Sequence, residues 1–542
     1  MIKNSILFLF VLFVLSSFKT EAQNSIVRQD SLFSHIILIN GKSEIEKLNL
    51  LPETSTLENL FLEVSLVNFK QSKNFIQNPV CIELERNING KTERLEIARF
   101  FLPWFDKETD TKALFTFDIS AYISLFQQNT NLYIESNNTK ESIELNLHFK
   151  WKLGHSSAKI NRIINLWQSG IKGFTYIDKN NSINKQIENK TITVSKEIKY
   201  ALLKIYLSGN DIKNQIPKEI DCSKFYFLNI NGKTVATRPV WRDDCSLNAL
   251  FPQAGTWNHS RANWCPGQAL RVFEHFIPLG ADTTLSINLH LQEDVKKTSR
   301  IQSYILSANL ILFEKAQYRN DAAIVEILAP NKSFNHNRYN PICGSPVIRV
   351  KNTGSDTLRS VLIEYGLNKN TNNRYRWRGE LAFMEEEIVY LPPLNWYFYD
   401  QNNKPNEFCV SIEKVNNKTD EYEGNNVLTA VFNLAPVYPN KISIHFYSYK
   451  AAEDNILELV DDMGIPLFEA SDFVSDSTYT FNLNMLPGCY EFIVYDKKGD
   501  GLYFPNEKNG SIKLFNTRTK EELKDFEPNF GAEIRQQFMI LK

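Results

Sequence analysis

The chain has 542 residues, too many for one hydrophobic core, and at roughly 150 residues per domain it calls for three or four domains. Lysine plus arginine (61) balances aspartate plus glutamate (62), and a net charge of -1 provides no field that would gather nucleic acid or an anionic membrane. Aromatic residues make up 12%, with Phe and Tyr abundant and Met scarce, a profile that fits pleated, half-buried strands.

The first element is an export signal. Lys3 supplies charge, Ile6 through Leu15 form an apolar run, and Glu21-Ala22-Gln23 follows a short polar stretch, so cleavage is expected after Ala22, removing residues 1-22. The run is too short to span a bilayer, no cysteine marks a lipid anchor there, and no later segment is long and apolar enough to hold the protein in a membrane. The expected destination is the periplasm, the cell surface or the medium. Seven cysteines follow (Cys81, Cys222, Cys245, Cys265, Cys343, Cys409, Cys489), an odd count that leaves at least one thiol free or bonded to another chain. None stands in a C-x-x-C, which argues against zinc.

Period-two alternation runs from end to end. Ile143, Leu145, Leu147, Phe149, Trp151 and Leu153 alternate with polar residues, as do Leu285, Ile287, Leu289 and Leu291, and each set predicts a strand with one buried face. Sustained helical periodicity is hard to find. The class is therefore all-β, built of antiparallel sandwiches. Polar turns at Gly154-His155-Ser156-Ser157, Tyr318-Arg319-Asn320 and Pro436-Val437-Tyr438-Pro439-Asn440 divide the chain into 23-155, 156-320, 321-436 and 437-542. In the third of these, Val347-Val350 and Val361-Tyr365 read as strands joined through Asn352-Thr353-Gly354-Ser355, resembling adhesion-type β-sandwich modules of bacterial exported proteins. The fourth, with a strand at Cys489-Tyr495, resembles small accessory β-domains of secreted Bacteroidetes enzymes.

The densest chemistry lies in Trp241-Arg242-Asp243-Asp244-Cys245, Phe251-Pro252-Gln253-Ala254-Gly255-Thr256-Trp257 and Arg261-Ala262-Asn263-Trp264-Cys265-Pro266-Gly267. A disulfide between Cys245 and Cys265 would close a short loop and contribute about 3 kcal/mol. The prolines and glycines stiffen and bend that loop, leaving Trp257, Arg261 and Trp264 on a constrained surface. Aromatic faces stack on sugars and a fixed guanidinium donates paired hydrogen bonds, so the combination suits carbohydrate; alternatively, the tryptophans pack the loop's interior.

This cysteine-bounded stretch, ending in Arg-Ala-Asn-Trp-Cys-Pro-Gly, resembles the signature of the C-terminal half of the peptide-N-glycosidase F family. Upstream, Glu96-Ile97-Ala98-Arg99-Phe100, Pro103-Trp104 and Phe117-Asp118-Ile119-Ser120 resemble its N-terminal half, so the likeness runs from about Ser43 to Lys315. The resemblance implies two side-by-side antiparallel jelly rolls, here followed by the two smaller β-sandwich modules. It implies hydrolysis, without a metal, of the amide joining N-acetylglucosamine to asparagine, with N-glycans or glycoproteins as partners.

That reaction needs a carboxylate to deprotonate water and a second acid to assist the leaving group. The family's essential aspartate falls on Asn78, and a carboxamide cannot serve as a base. A second family acid falls on Ile220, in a cysteine staple whose first cysteine reads Lys218. Glu219 is the nearest acid, one residue off and so on the opposite face of a strand, and Asp221 shares that difficulty. The third falls on Asn137 by ungapped counting, or on Glu135 if two residues are deleted. The family's arginine is matched by Arg261. The expected site is thus Glu135 and Glu219 as acids, with Arg261, Trp257, Trp264 and Asn78 around the substrate. The alternative is a non-catalytic glycan- or glycoprotein-binding protein.

No cofactor is expected. The eight histidines are scattered with no H-x-H, which argues against copper. Asp496, Asp500 and Glu507 match three positions of a calcium loop, but Lys498 occupies a ligand position and Pro505 interrupts it, so an Asp-Gly turn is the better reading.

Overall fold

The computed structural model describes residues 27-48, 57-67, 79-103, 113-127, 130-137, 143-175, 181-211, 225-242, 244-251, 262-280, 284-292, 302-368, 370-396, 406-450, 452-504 and 507-541. The export signal, Asn78, Glu219, Trp257 and Arg261 lie outside them. Within them the protein is all-β: eight sheets, every ladder between named strands antiparallel, arranged about four large apolar cores.

The first core lies between the sheet Val27–Leu38, Ile143–Leu153, Leu57–Leu66, Leu114–Asp118 and the sheet Lys42–Leu48, Thr130–Ser136, Pro79–Ile88, Lys91–Phe101, each in spatial order. Alternation does the work here: Ile143, Leu145, Leu147, Phe149 and Trp151 are all buried in that core. Leu153 breaks the pattern, 39% exposed at the strand's last position, where the twist carries it past the facing sheet.

The second core is enclosed by two sheets of the same kind. In one, Gln302–Ala316 pairs with Phe174–Thr175, Ala158–Gln168 and Tyr200–Asp211, and the last pairs onward with Phe273–Pro278. In the other, the order is Lys190–Thr193, Thr284–Leu291, Phe225–Ile230, Lys233–Pro239. Leu285, Ile287, Leu289 and Leu291 are buried on its inner face. The Gln302–Ala316 strand is covered on both sides. Its even-numbered Leu306, Ala308, Leu310 and Leu312 fill the second core, while Ile311 and Phe313 reach into the first. The two sandwiches therefore share a seam, and the polar residues of that strand face it.

Residues 322-435 enclose the third core and residues 438-540 the fourth. Cys343 and Cys489 are joined by a disulfide, Met539 of the last strand lies in the third core, and its carbonyl accepts from Tyr438 N–H. Arg338 ties the last sandwich to the second: its guanidinium donates to the carbonyls of Asn248 (2.6 Å), Glu533 (2.7 Å) and Phe530 (3.0 Å) and lies 4.4 Å from the Phe251 ring centre. No helix among the described residues is long and apolar enough to cross a membrane.

Candidate functional site

The seam between the first two sandwiches is polar and buried. Cys81 and Glu83 alternate with the core residues Val80, Ile82 and Leu84, which turns them outward towards the second sandwich. A register shift between Ile82 and Glu83 makes Ile97 an extra residue in the neighbouring strand, so that Glu83 stands opposite Glu96. On the other flank Cys81 pairs with Glu135 and Glu83 with Tyr133, which places Glu135 diagonally beside Glu83 on one face. Three carboxylates, one from each of three adjacent strands, thus gather on one face.

Arg99 makes this arrangement tolerable. Fully buried, it forks onto Glu96 with Nε and Nη2 each 2.7 Å from a carboxylate oxygen. Nη1 donates to Ser208 Oγ (2.8 Å) and the Ile305 carbonyl (3.0 Å) of the second sandwich. Ser307 Oγ–H also donates to Glu96, and Asn309 Nδ2 reaches the Glu96 carbonyl (2.8 Å) and Tyr122 Oη (2.9 Å). A buried charge pair is kept only when its remaining hydrogen-bonding positions are filled, and here both sandwiches fill them.

Glu83 is placed differently. It is 6% exposed and accepts one hydrogen bond, from Gln168 Nε2 at 2.6 Å. Burial, then the charges of Glu96 and Glu135, push its carboxyl up to about 7, with Gln168 and Arg94 opposing. Such a group gains and loses a proton near neutrality, which is what general acid-base chemistry requires. Glu135 is half-buried and ion-paired with the exposed Lys42 at 3.2 Å. Burial pushes the Cys81 thiol well above its ordinary value.

The described ends of the cysteine-bounded stretch, 245-251 and 262-265, lead into residues that pair with the strand bordering the seam. Cys245 and Cys265 are disulfide-bonded with Cα atoms 5.3 Å apart. Gly267 N–H donates to the Phe101 carbonyl, Phe101 N–H to that of Gln268, and Leu270 N–H to that of Arg99. The loop is thereby stitched to the strand that carries the Glu96–Arg99 pair. Trp264 is half-buried with its ring 5.7 Å from that of Phe101, so it packs within this wedge. Within the second sandwich, Gly209 N–H donates to the Ala262 carbonyl, and a Cβ at Gly209 would fall 2.5 Å from that of Ala262. Asn263, buried with φ +58°, donates to the Leu207 and Arg271 carbonyls and pins the chain immediately after Arg261.

Of the residues singled out in the sequence, Glu135, Trp264, Cys245 and Cys265 are described and lie along this seam or its rim. Asn78, Glu219, Trp257 and Arg261 are not described. Glu83, Gln168 and Ser307 went unremarked; the signal was a polar residue at an outward position in otherwise apolar strands. In the fourth sandwich, Asp496 Oδ1 accepts from Gly499 N–H (2.6 Å) and Asp500 N–H (3.1 Å), and Glu507 pairs with Lys450, the arrangement of an Asp-Gly turn.

These sandwiches and their charged seam define a two-jelly-roll protein with two further β-modules. Residues 178–311 match the model of the family described as Peptide-N-glycosidase F, C terminal. The chain is 27% identical over 215 residues to peptide-N(4)-(N-acetyl-beta-D-glucosaminyl)asparagine amidase F of Elizabethkingia miricola, covering 36% of this chain and 59% of that one. The match thus spans less than two thirds of that relative. Among solved structures, PNGase F, a glycosylasparaginase from Flavobacterium meningosepticum, aligns at 18% identity and TM-score 0.44, covering 53% of this chain and 96% of its own. PNGF-II aligns at 14% and 0.40, covering 52% and 60%. Residues 178–311 are thus similar to the C-terminal part of the peptide-N-glycosidase F family.

Proposed function

We propose that this chain is an exported, N-glycoprotein-directed hydrolase of the amidase type, acting on the bond between N-acetylglucosamine and asparagine. In this reading residues 1-22 are removed on export, 23-155 and 156-320 form the catalytic pair of jelly rolls, and 321-436 and 437-542 are accessory domains. The observation that carries it is the gathering of Glu83, Glu96 and Glu135 on one face of the seam. Glu135 is the most open of the three and is assigned to the attacking water. Glu83, titrating near neutrality, exchanges protons with it, and Glu96 is the ion-pair partner of Arg99.

One observation favours a second reading, in which the seam binds glycoprotein without cutting it: Asn78 and Ile220 stand where the resemblance expects acids. Glycan release from a denatured N-glycoprotein, followed by mass spectrometry, separates the two. The hydrolase reading expects release by the wild type and a fall of about 100- to 10,000-fold in Glu135→Gln. Release that survives Glu135→Gln unchanged moves the acid elsewhere. No release, together with retention of glycopeptide on immobilised protein, leaves the binding reading standing.

A further inference from the structure

Where the second sandwich hands over to the third, the chain buries two carboxylates against each other. Asp321 is 1% exposed and Asp420 7%, and their side chains lie within hydrogen-bond reach. Among the described residues neither forms an ion pair with a lysine, arginine or histidine, and the nearest further charge on Asp321 is another acid, Glu421. Two carboxylates so placed in a medium of low dielectric need either a positive partner or a shared proton.

The surrounding polar groups are oxygen-rich and incompletely used. Asn425, 6% exposed, points its amide into the cluster: Nδ2 stands 3.2 and 3.4 Å from the two Asp321 carboxylate oxygens and 3.4 Å from Thr353 Oγ1. These are long contacts spread over three acceptors. Asn425 Oδ1 has no hydrogen-bond partner, and Asp420 Oδ2 receives no donor, while Asp420 Oδ1 takes Tyr422 N–H at 3.1 Å. Buried oxygens left in this state cost free energy, and native proteins rarely leave them so. A half-turn of the Asn425 amide about its last torsion would bring Oδ1 onto the Asp321 side, an orientation that repels unless a cation sits between.

We propose that Asp321, Asp420, Asn425 and Thr353 form a binding site for a divalent cation of the calcium type. Two carboxylates, one amide oxygen and one hydroxyl supply hard oxygen donors, and water completes the six to eight that calcium takes. Groups of three or more histidines, cysteines or acids placed to hold a metal are absent among the described residues; this site has two acids and takes its other donors from neutral oxygens. Its location gives it a mechanical role. Asp321 begins the third sandwich, and its carbonyl accepts from Thr353 and Gly354 N–H. Asp420 leads into Tyr422, which stacks on Tyr318 at 5.3 Å, donates to Glu58 of the first sandwich at 3.1 Å and accepts from His155 N–H. A cation joining Asp321 to Asp420 within the third sandwich would fix the turn that carries Tyr422 and so brace its contacts with the first two sandwiches.

The test uses the full purified chain, stripped with chelator and dialysed against calcium at about 1 mM, the range in which extracellular modules bind. Bound calcium is measured by atomic emission, and thermal unfolding is followed with and without the ion. The wild type should retain one equivalent and melt higher with calcium. Asp420→Asn, which keeps the size and the acceptor for Tyr422 N–H, should raise the dissociation constant at least tenfold and abolish the shift, and Asp321→Asn should do the same. Asp500→Asn, in the turn of the fourth sandwich, should leave binding intact. The proposal is overturned if the wild type retains no calcium, or if Asp420→Asn and Asp321→Asn retain as much as the wild type. It also fails if Asp420→Asn is as stable as the calcium-loaded wild type with no calcium present, because the pair then needs only a shared proton.

Discussion

The molecule joins its sandwiches in two contrasting ways. The first and second meet across a seam of buried charge, with Arg99, Glu96, Ser208 and Ser307 satisfying one another over the boundary. The third and fourth are joined by the Cys343–Cys489 disulfide and by Met539 lodged in the neighbouring core. A covalent and apolar joint holds position without titrating. A charged seam is costlier to desolvate, yet it holds the Glu83 carboxyl at about 7, in the range where acid-base chemistry can be done. Under the proposed function, the first joint would carry the chemistry and the second would give mechanical support.

The largest effect expected is at Arg99. Arg99→Met strands Glu96 as an uncompensated buried charge and should cost about 3–5 kcal/mol in urea unfolding, whereas Arg99→Met with Glu96→Leu should recover most of it. If the double variant is as damaged as the single one, the seam's value is not charge pairing. At the other joint, Cys343→Ser with Cys489→Ser opens a loop of sequence separation 146 and should cost about 2–5 kcal/mol, seen as a lower melting temperature without change in glycan release. A loss of release from that pair would erase the distinction between the joints.

Arg338→Met should be smaller, about 2 kcal/mol, because three carbonyls lose a charged donor while the side chain's volume is kept. Burial pushes that guanidinium down to about 10, so the charged form carries a folding cost at neutral pH that is relieved as the solution becomes strongly alkaline. The smallest effect has the opposite sign. The folded Glu83 carboxyl titrates at about 7 against an ordinary 4.5, so the folded state holds a proton that the unfolded state releases between those values. The stability linked to that proton is complete below about pH 4.5 and is lost as pH rises through 7. Glu83→Gln should therefore be about 1–2 kcal/mol more stable than the wild type at pH 8, with the gain shrinking below pH 5. An unchanged difference across that range would mean that Glu83 is not the titrating group.

Much of the architecture was legible before any coordinates. Alternation placed the strands around Ile143 and Leu285, and the rigid, cysteine-bounded loop announced the Cys245–Cys265 bond. The site was less legible. Glu135 could be named as an acid on the right strand, but Glu83 and Glu96 could not be singled out, because a polar residue at an outward position reads as solvent-facing unless something covers it. What covers Glu96 is the Gln302–Ala316 strand, whose Ser307 Oγ–H bonds it across a sequence separation of 211, and what covers Glu83 is Gln168, at a separation of 85.

By itself, then, the sequence determined the class of fold and the short disulfide, since each follows from periodicity or spacing within a few tens of residues. Tertiary structure alone decided the pairing of Cys343 with Cys489, the meeting of Asp321 with Asp420 and the identity of the buried acids. Those depend on which sheet face is laid against which. A period of two records only that a residue points outward, whereas its acidity and partners are set by the surface that arrives to meet it.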